Sequence, residues 1–308
     1  MKNLPAFAAG ICSLLLLLIF PEAAKSSVSD GLNICGRIII PSLFPYLVAV
    51  NLIAELGIIA KLTSHGKGSF SKAAFIIGIS GGYPVGASFI AEARKRGEIS
   101  RDAASRLLIY CNNSGPAFII GAVGTGVFNS AAAGITLYAA HIASAIIYGK
   151  LLHADDCSNG QILPKPKAFS AALVDAVKKS VSAMINVCGF VLTFSVFLSI
   201  INSRGLLHIL SGRLSSLTHT ELSFNSALIA GIFELGNSIS QMQGLAAAPL
   251  NLALAAFVLG WGGISVHFQT FSVISDTDIK TARYIIGRFF IAALGALIAN
   301  LTAHLFRI

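Results

Sequence analysis

IYCNNSGPAFIIGAVGTGVF occupies residues 109–128. Its flanks are apolar enough to cross a membrane, yet they enclose the island Asn112-Asn113-Ser114-Gly115-Pro116. Two adjacent amides followed by Ser-Gly-Pro end a helix, because proline has no N–H to donate and glycine loosens the backbone. What such an interruption does inside an apolar segment decides how the rest of the chain is read.

The surrounding composition leaves few solvents to choose from. The 308 residues are 55% hydrophobic and 11% charged, against roughly 25% charged for a soluble domain. Mean hydropathy is +0.78. So few charges cannot cover a soluble surface of this size, so the expected fold is an all-α integral membrane protein. The net charge of +9 comes from basic residues in short loops between apolar runs. That placement marks the cytoplasmic side of a bilayer and argues against a nucleic-acid-binding face. Five scattered cysteines form no CxxC and no Cys/His pair, so neither a disulfide framework nor a metal site is indicated. No HExxH, GxSxG or paired intramembrane aspartates occur, and no enzyme or cofactor is expected.

Working outward from the break, apolar segments fall at 4–21, 32–60, 73–92, 105–128 and 131–152, then at 173–203, 224–246, 250–275 and 284–306. The first follows Lys2 and precedes Pro21-Glu22-Ala23-Ala24, a poor cleavage site, so it reads as a retained anchor. The others form two groups of four around the polar linker His153–Lys167. Each group runs long helix, interrupted segment, interrupted segment, plain helix. The expected organisation is an N-terminal transmembrane anchor (1–29), a first repeat (30–153), a cytoplasmic linker (154–172) and a second repeat (173–308).

Charge orients these segments. Segment 73–92 is broken at Gly81-Gly82-Tyr83-Pro84, leaving about ten residues per arm, too few for two crossings. It is expected to be a re-entrant hairpin, with both flanks on one side. Those flanks carry Lys61, Lys67, Lys72, Arg94, Lys95, Arg96, Arg101 and Arg106, so that side is cytoplasmic. Counting crossings puts residues 22–31 outside, Lys280 and Arg283 inside, and the second hairpin, 224–246, dipping in from outside. Three crossings per repeat make the second copy inverted.

Inverted repeats with hairpins and interrupted helices are a construction plan of secondary transporters. Half-helix N-termini attract anions and C-termini favour cations. The candidate substrate site is therefore Gly82, Tyr83 and Pro84 at the first hairpin, Asn112, Asn113 and Ser114 at the first break, and Asn237, Gly263, Ser265 and His267 in the second repeat. A kink for packing alone would also explain the breaks. Glu234, at the tip of the second hairpin, is the candidate site acid or carrier of a coupling proton or cation, or else a carboxyl bonded to a helix end. His141 and His304 lie in plain helices and read as packing residues.

SGGYPVGA (80–87), CNNSGPAFIIGAVG (111–124), FELGN (233–237) and GGISVH (262–267) together resemble the YlbJ (SpoVV) sporulation integral membrane family. That family is related to nucleoside-recognition gate domains and, distantly, to concentrative nucleoside transporters. The resemblance implies movement of a small anion, dipicolinic acid, across the outer forespore membrane during sporulation. A nucleoside as substrate, or a non-transporting scaffold of a sporulation complex, are the alternatives, and the oligomeric state is left open. Where the family shows Thr-Asn-Gly after its glutamate, this chain has Gly236-Asn237-Ser238.

Overall fold

A computed structural model describes residues 4–58, 61, 69–152 and 166–308; most of the expected linker, Lys67 and Cys157 lie outside that set. The described residues are helical, with no strand among them. Helix α1 (Leu4–Ile19) is followed by α2 (Pro21–Ile34), a five-residue π-helical turn (Cys35–Ile39) and α3 (Ile40–Glu55), which run on as one rod. Pro21 sits at the start of α2, where a missing N–H costs nothing. The wide turn precedes Pro41 and Pro45, two residues that remove ladder bonds, and the Ser42 hydroxyl donates back to the Ile38 carbonyl. Residues 22–31, which crossing counts put outside the bilayer, are thus helix continuous with the stretch that runs to Glu55. Pro21 starts a helix as readily as it ends one.

The break at Gly82-Tyr83-Pro84 folds α4 (Ser69–Gly81) back on α5 (Val85–Lys95). Gly78 and Gly86, one on each arm, clamp the Cys111 carbonyl, and a Cβ on either would lie within 2.1 Å of that oxygen. Cys111 ends α6 (Arg101–Cys111), whose start is capped by the Ser100 hydroxyl accepting from the Ala103 N–H. After the Asn112–Pro116 interruption the chain continues as a π-helical segment, Ala117–Thr125, and then α7 (Ala131–Leu151).

Long helix α8 (Phe169–Asn202) packs along α2 and α3. Helix α9 (Leu206–Thr218) follows, an element that the mixed polar and apolar residues of that stretch concealed. Helices α10 (Leu222–Phe233) and α11 (Leu235–Gln241) form a second hairpin about Glu234, closed by the Ser238 hydroxyl donating to the Ala227 carbonyl at 2.7 Å. Then come α12 (Pro249–Trp261), an interruption at Gly262 and Gly263 with φ of +81° and +77°, α13 (Gly263–Ile274) and α14 (Thr281–Phe306). Only glycine takes those φ values without strain, so the second break needs no proline.

Among the described residues, five helical stretches are long and apolar enough to span a bilayer: Pro21–Glu55, Ala131–Leu151, Phe169–Asn202, Pro249–Ile274 and Thr281–Phe306. Helix α1, at 16 residues, is shorter than a span needs, and 101–125 is divided by its polar island. Large apolar side chains stay exposed along the outer faces, among them Leu14 and Leu18 on α1, Val174 and Ile185 on α8, and Phe290, Leu297 and Leu301 on α14. In water that surface would be a severe liability; in lipid it is the ordinary outside of a membrane protein. The polar side chains have gone inward instead.

Candidate functional site

Each helix interruption is pressed against a hairpin tip. A Cβ on Gly82, at the first tip, would lie 3.0 Å from the Gly115 nitrogen in the first break. A Cβ on Gly263, at the second break, would lie 3.0 Å from the Phe233 carbonyl oxygen and 3.1 Å from the Glu234 nitrogen. The same tip-on-break pairing recurs in both halves, and glycine permits the approach each time.

Where the pairs meet lies Arg288, carried by α14 and fully buried. Its Nη1 donates to Asn113 Oδ1 at 3.2 Å and to the Ile109 carbonyl at 3.4 Å. Its Nη2 donates to the Tyr83 hydroxyl and to the Gly260 carbonyl. Ile109 and Gly260 lie in the last turns of α6 and α12, where carbonyls lose their intrahelical partners and the helix dipole is negative. One guanidinium thus joins the C-terminal ends of two half-helices, one from each half of the chain. Sequence reasoning missed this residue. Its signal was an arginine inside an apolar run, but Arg283 and Lys280 nearby made it look like a flanking charge.

The two amides of the first break face this core. Asn112 Nδ2 donates to Thr270 Oγ1 at 2.8 Å and to the Tyr284 hydroxyl at 3.0 Å, while Asn113 Nδ2 donates to the Tyr110 carbonyl at 2.6 Å. The Ser114 N–H donates to His141 Nε2 at 3.2 Å, so His141 serves the break as well as packing α7. Tyr83 reaches across the halves, its hydroxyl donating to the Leu259 carbonyl at 3.2 Å.

Glu234 occupies the opposite side. Its carboxylate accepts from the backbone N–H groups of Gly236 (2.9 Å) and Asn237 (2.6 Å) and from Asn237 Nδ2 (2.9 Å). Asn237 Nδ2 also donates to Ser195 Oγ at 2.7 Å, tying the tip to α8. Three donors hold the buried acid at the start of α11, and no basic side chain pairs with it among the described residues. Ser265 Oγ accepts from Gln269 Nε2 at 3.3 Å. His267 turns away, its ring among Trp261, Phe271 and Tyr284 and both its nitrogens unpartnered.

Between Arg288 and Glu234 lies a cavity of about 40 Å³, walled by Tyr83, Ser114, Gly115, Glu234, Gly236 and Gln269. It has room for one or two waters. Of the residues expected at a substrate site, Tyr83, Ser114 and Glu234 line it. Asn112, Asn113, Ser265 and His267 are outside its wall, Asn237 braces Glu234, and Gly82 and Gly263 make the tip contacts.

Two larger hollows approach from either side. One, about 600 Å³, reaches Pro84 and is lined by Glu55, Glu92, Lys167 and Lys179. Lys179 bridges Glu55 (2.8 Å) and Glu92 (3.0 Å), and Lys167 bridges Glu55 and Asp175. Those carboxylates raise the Lys167 ammonium above its usual range, Asp175 most strongly. The other hollow, about 710 Å³, reaches Pro116 and Ala117 and includes Arg37, Tyr46 and Gln243.

An apolar exterior around a buried polar core at the helix breaks defines an integral membrane protein. Over 87% of its length the chain is 27% identical to the sporulation integral membrane protein YlbJ of Bacillus subtilis (strain 168), covering 74% of that protein. That likeness agrees with the resemblance to the YlbJ sporulation integral membrane family. No protein-family model and no solved structure matches it.

Proposed function

We propose that the protein is a membrane transporter of a small anion, with dipicolinic acid, the substrate implied by the family resemblance, as cargo and the outer forespore membrane as its place of work. The observation that carries this reading is a small cavity walled by both hairpin tips and the first helix break, with the second break packed on a tip, beside two larger hollows. A scaffold has no need of polar groups concentrated there.

Two hairpins that dip into the bilayer from opposite faces, within inverted repeats, account for this arrangement. Ion pairs support the common sidedness of the basic loops. Arg94 pairs with Asp278 at 2.8 Å, Lys95 with Asp276 at 3.2 Å and Arg283 with Asp102 at 2.7 Å, gathering the foot of the first hairpin and the 275–283 loop at one end. Lys167 and Lys179 join that end through Glu55 and Glu92. The hairpins would move against the long helices, opening one hollow to the cavity while closing the other.

Uptake of labelled dipicolinate into proteoliposomes, with and without an imposed pH or sodium gradient, tests the reading. Entry above protein-free vesicles is expected. Entry no faster than in protein-free vesicles, with correctly inserted protein, would overturn it.

A further inference from the structure

The charges at the cavity are held by helix ends rather than by each other. The Glu234 carboxylate is met by N–H groups at the start of α11, and Arg288 by carbonyls at the ends of α6 and α12. With those two C-terminal ends neutralised, the uncompensated C-terminal ends at the tips are those of α4 and α10, and three N-terminal ends stand against them. Helices α5 and α13 and the π-helical segment Ala117–Thr125 have no acidic residue in their first turns. Their starts carry positive partial charge. Removing Arg288 would expose two more negative ends, those of α6 and α12.

Arg288 itself stands behind the cavity, and Tyr83 connects them. The Tyr83 ring forms part of the cavity wall, while its hydroxyl accepts from Arg288 Nη2 and its face lies 5.5 Å from the guanidinium carbon. A phenol that accepts a charge-assisted hydrogen bond becomes a stronger donor in turn. Its O–H, now directed at the Leu259 carbonyl, can turn to a ligand oxygen. A second feature marks the cavity as a place for a ligand. Gln269, 1% exposed, lines it with its side-chain carbonyl unpartnered.

We propose that Arg288 is the positioning residue that makes this site select carboxylate anions, acting through the Tyr83 hydroxyl and by neutralising the C-terminal ends of α6 and α12. The inference rests on the transport reading for the identity of the probe, and its test is binding rather than uptake.

Purified full-length protein in detergent is titrated with pyridine-2,6-dicarboxylate and with the uncharged pyridine-2,6-dicarboxamide, at matched ionic strength, and thermal unfolding is followed. The wild type should be stabilised by the dicarboxylate and not by the dicarboxamide. Arg288→Gln should weaken dicarboxylate binding by about tenfold or more, the scale of a lost charged hydrogen bond, and Arg288→Lys should restore part of it. Should Arg288→Gln not fold, Tyr83→Phe carries the test: the fold should be retained with a lower unfolding temperature in the absence of ligand, and dicarboxylate affinity, measured against that baseline, should fall several-fold. Equal stabilisation by both compounds, no stabilisation by the dicarboxylate, or unchanged affinity in the Arg288→Gln or Tyr83→Phe protein would overturn the proposal. Uptake in proteoliposomes separately decides the transport reading, so the two can fail independently.

Discussion

Asn113 shows how one side chain serves two ends of the site. Its Nδ2 returns to the Tyr110 carbonyl and its Oδ1 accepts from Arg288, so it joins the end of α6 to the buried charge. Asn113→Ala should cost roughly 1–3 kcal/mol by leaving these groups unsatisfied, and should abolish transport while leaving the protein inserted at normal levels. Uptake assays alongside membrane fractionation check this; normal uptake would assign the break to packing. Asn112→Ala should behave alike through Thr270 and Tyr284. Glu234→Gln exchanges one acceptor oxygen for a donor facing the N–H groups of α11. It should stop gradient-driven accumulation while equilibrative exchange persists, if the acid carries the coupling proton or cation. Wild-type accumulation by the Gln variant across the working pH range would remove that role. The amides and Glu234 were legible as polar residues at apolar depth. Their partners were not, because Arg288, Tyr284 and Thr270 lie more than 150 residues further on in the sequence and meet the first break only by folding.

At the scale of elements, the breaks were readable from chemistry that few residues share. Proline after glycine ends α6, and paired glycines end α12. Elements without such punctuation were harder to see. Helix α9 has no cap that sequence would flag, and α11 is only seven residues long, too short for a hydrophobic period to register. The proposed opposition of the two hairpins yields a prediction about sidedness. In a cysteine-less background, Arg204→Cys, between α8 and α9, should react with an impermeant thiol reagent in whole cells. Lys280→Cys, between α13 and α14, should react only after permeabilisation. Equal labelling of the two in intact cells would contradict the inverted arrangement.

For the whole molecule, the decisive feature is the contrast in size between the central cavity and the hollows beside it. About 40 Å³ cannot hold an aromatic dicarboxylate, whereas about 600 and 710 Å³ can. The structure is therefore closed at its centre, and the proposed transport would require the tips to move off the breaks in turn. A continuous pore would need no such movement. Counterflow distinguishes the two. Proteoliposomes preloaded with unlabelled dipicolinate should take up external label faster than empty ones in the wild type, and Asn113→Ala should show no acceleration. Label entry that is indifferent to the preload, or unchanged by the substitution, would contradict a carrier built on these four interruptions.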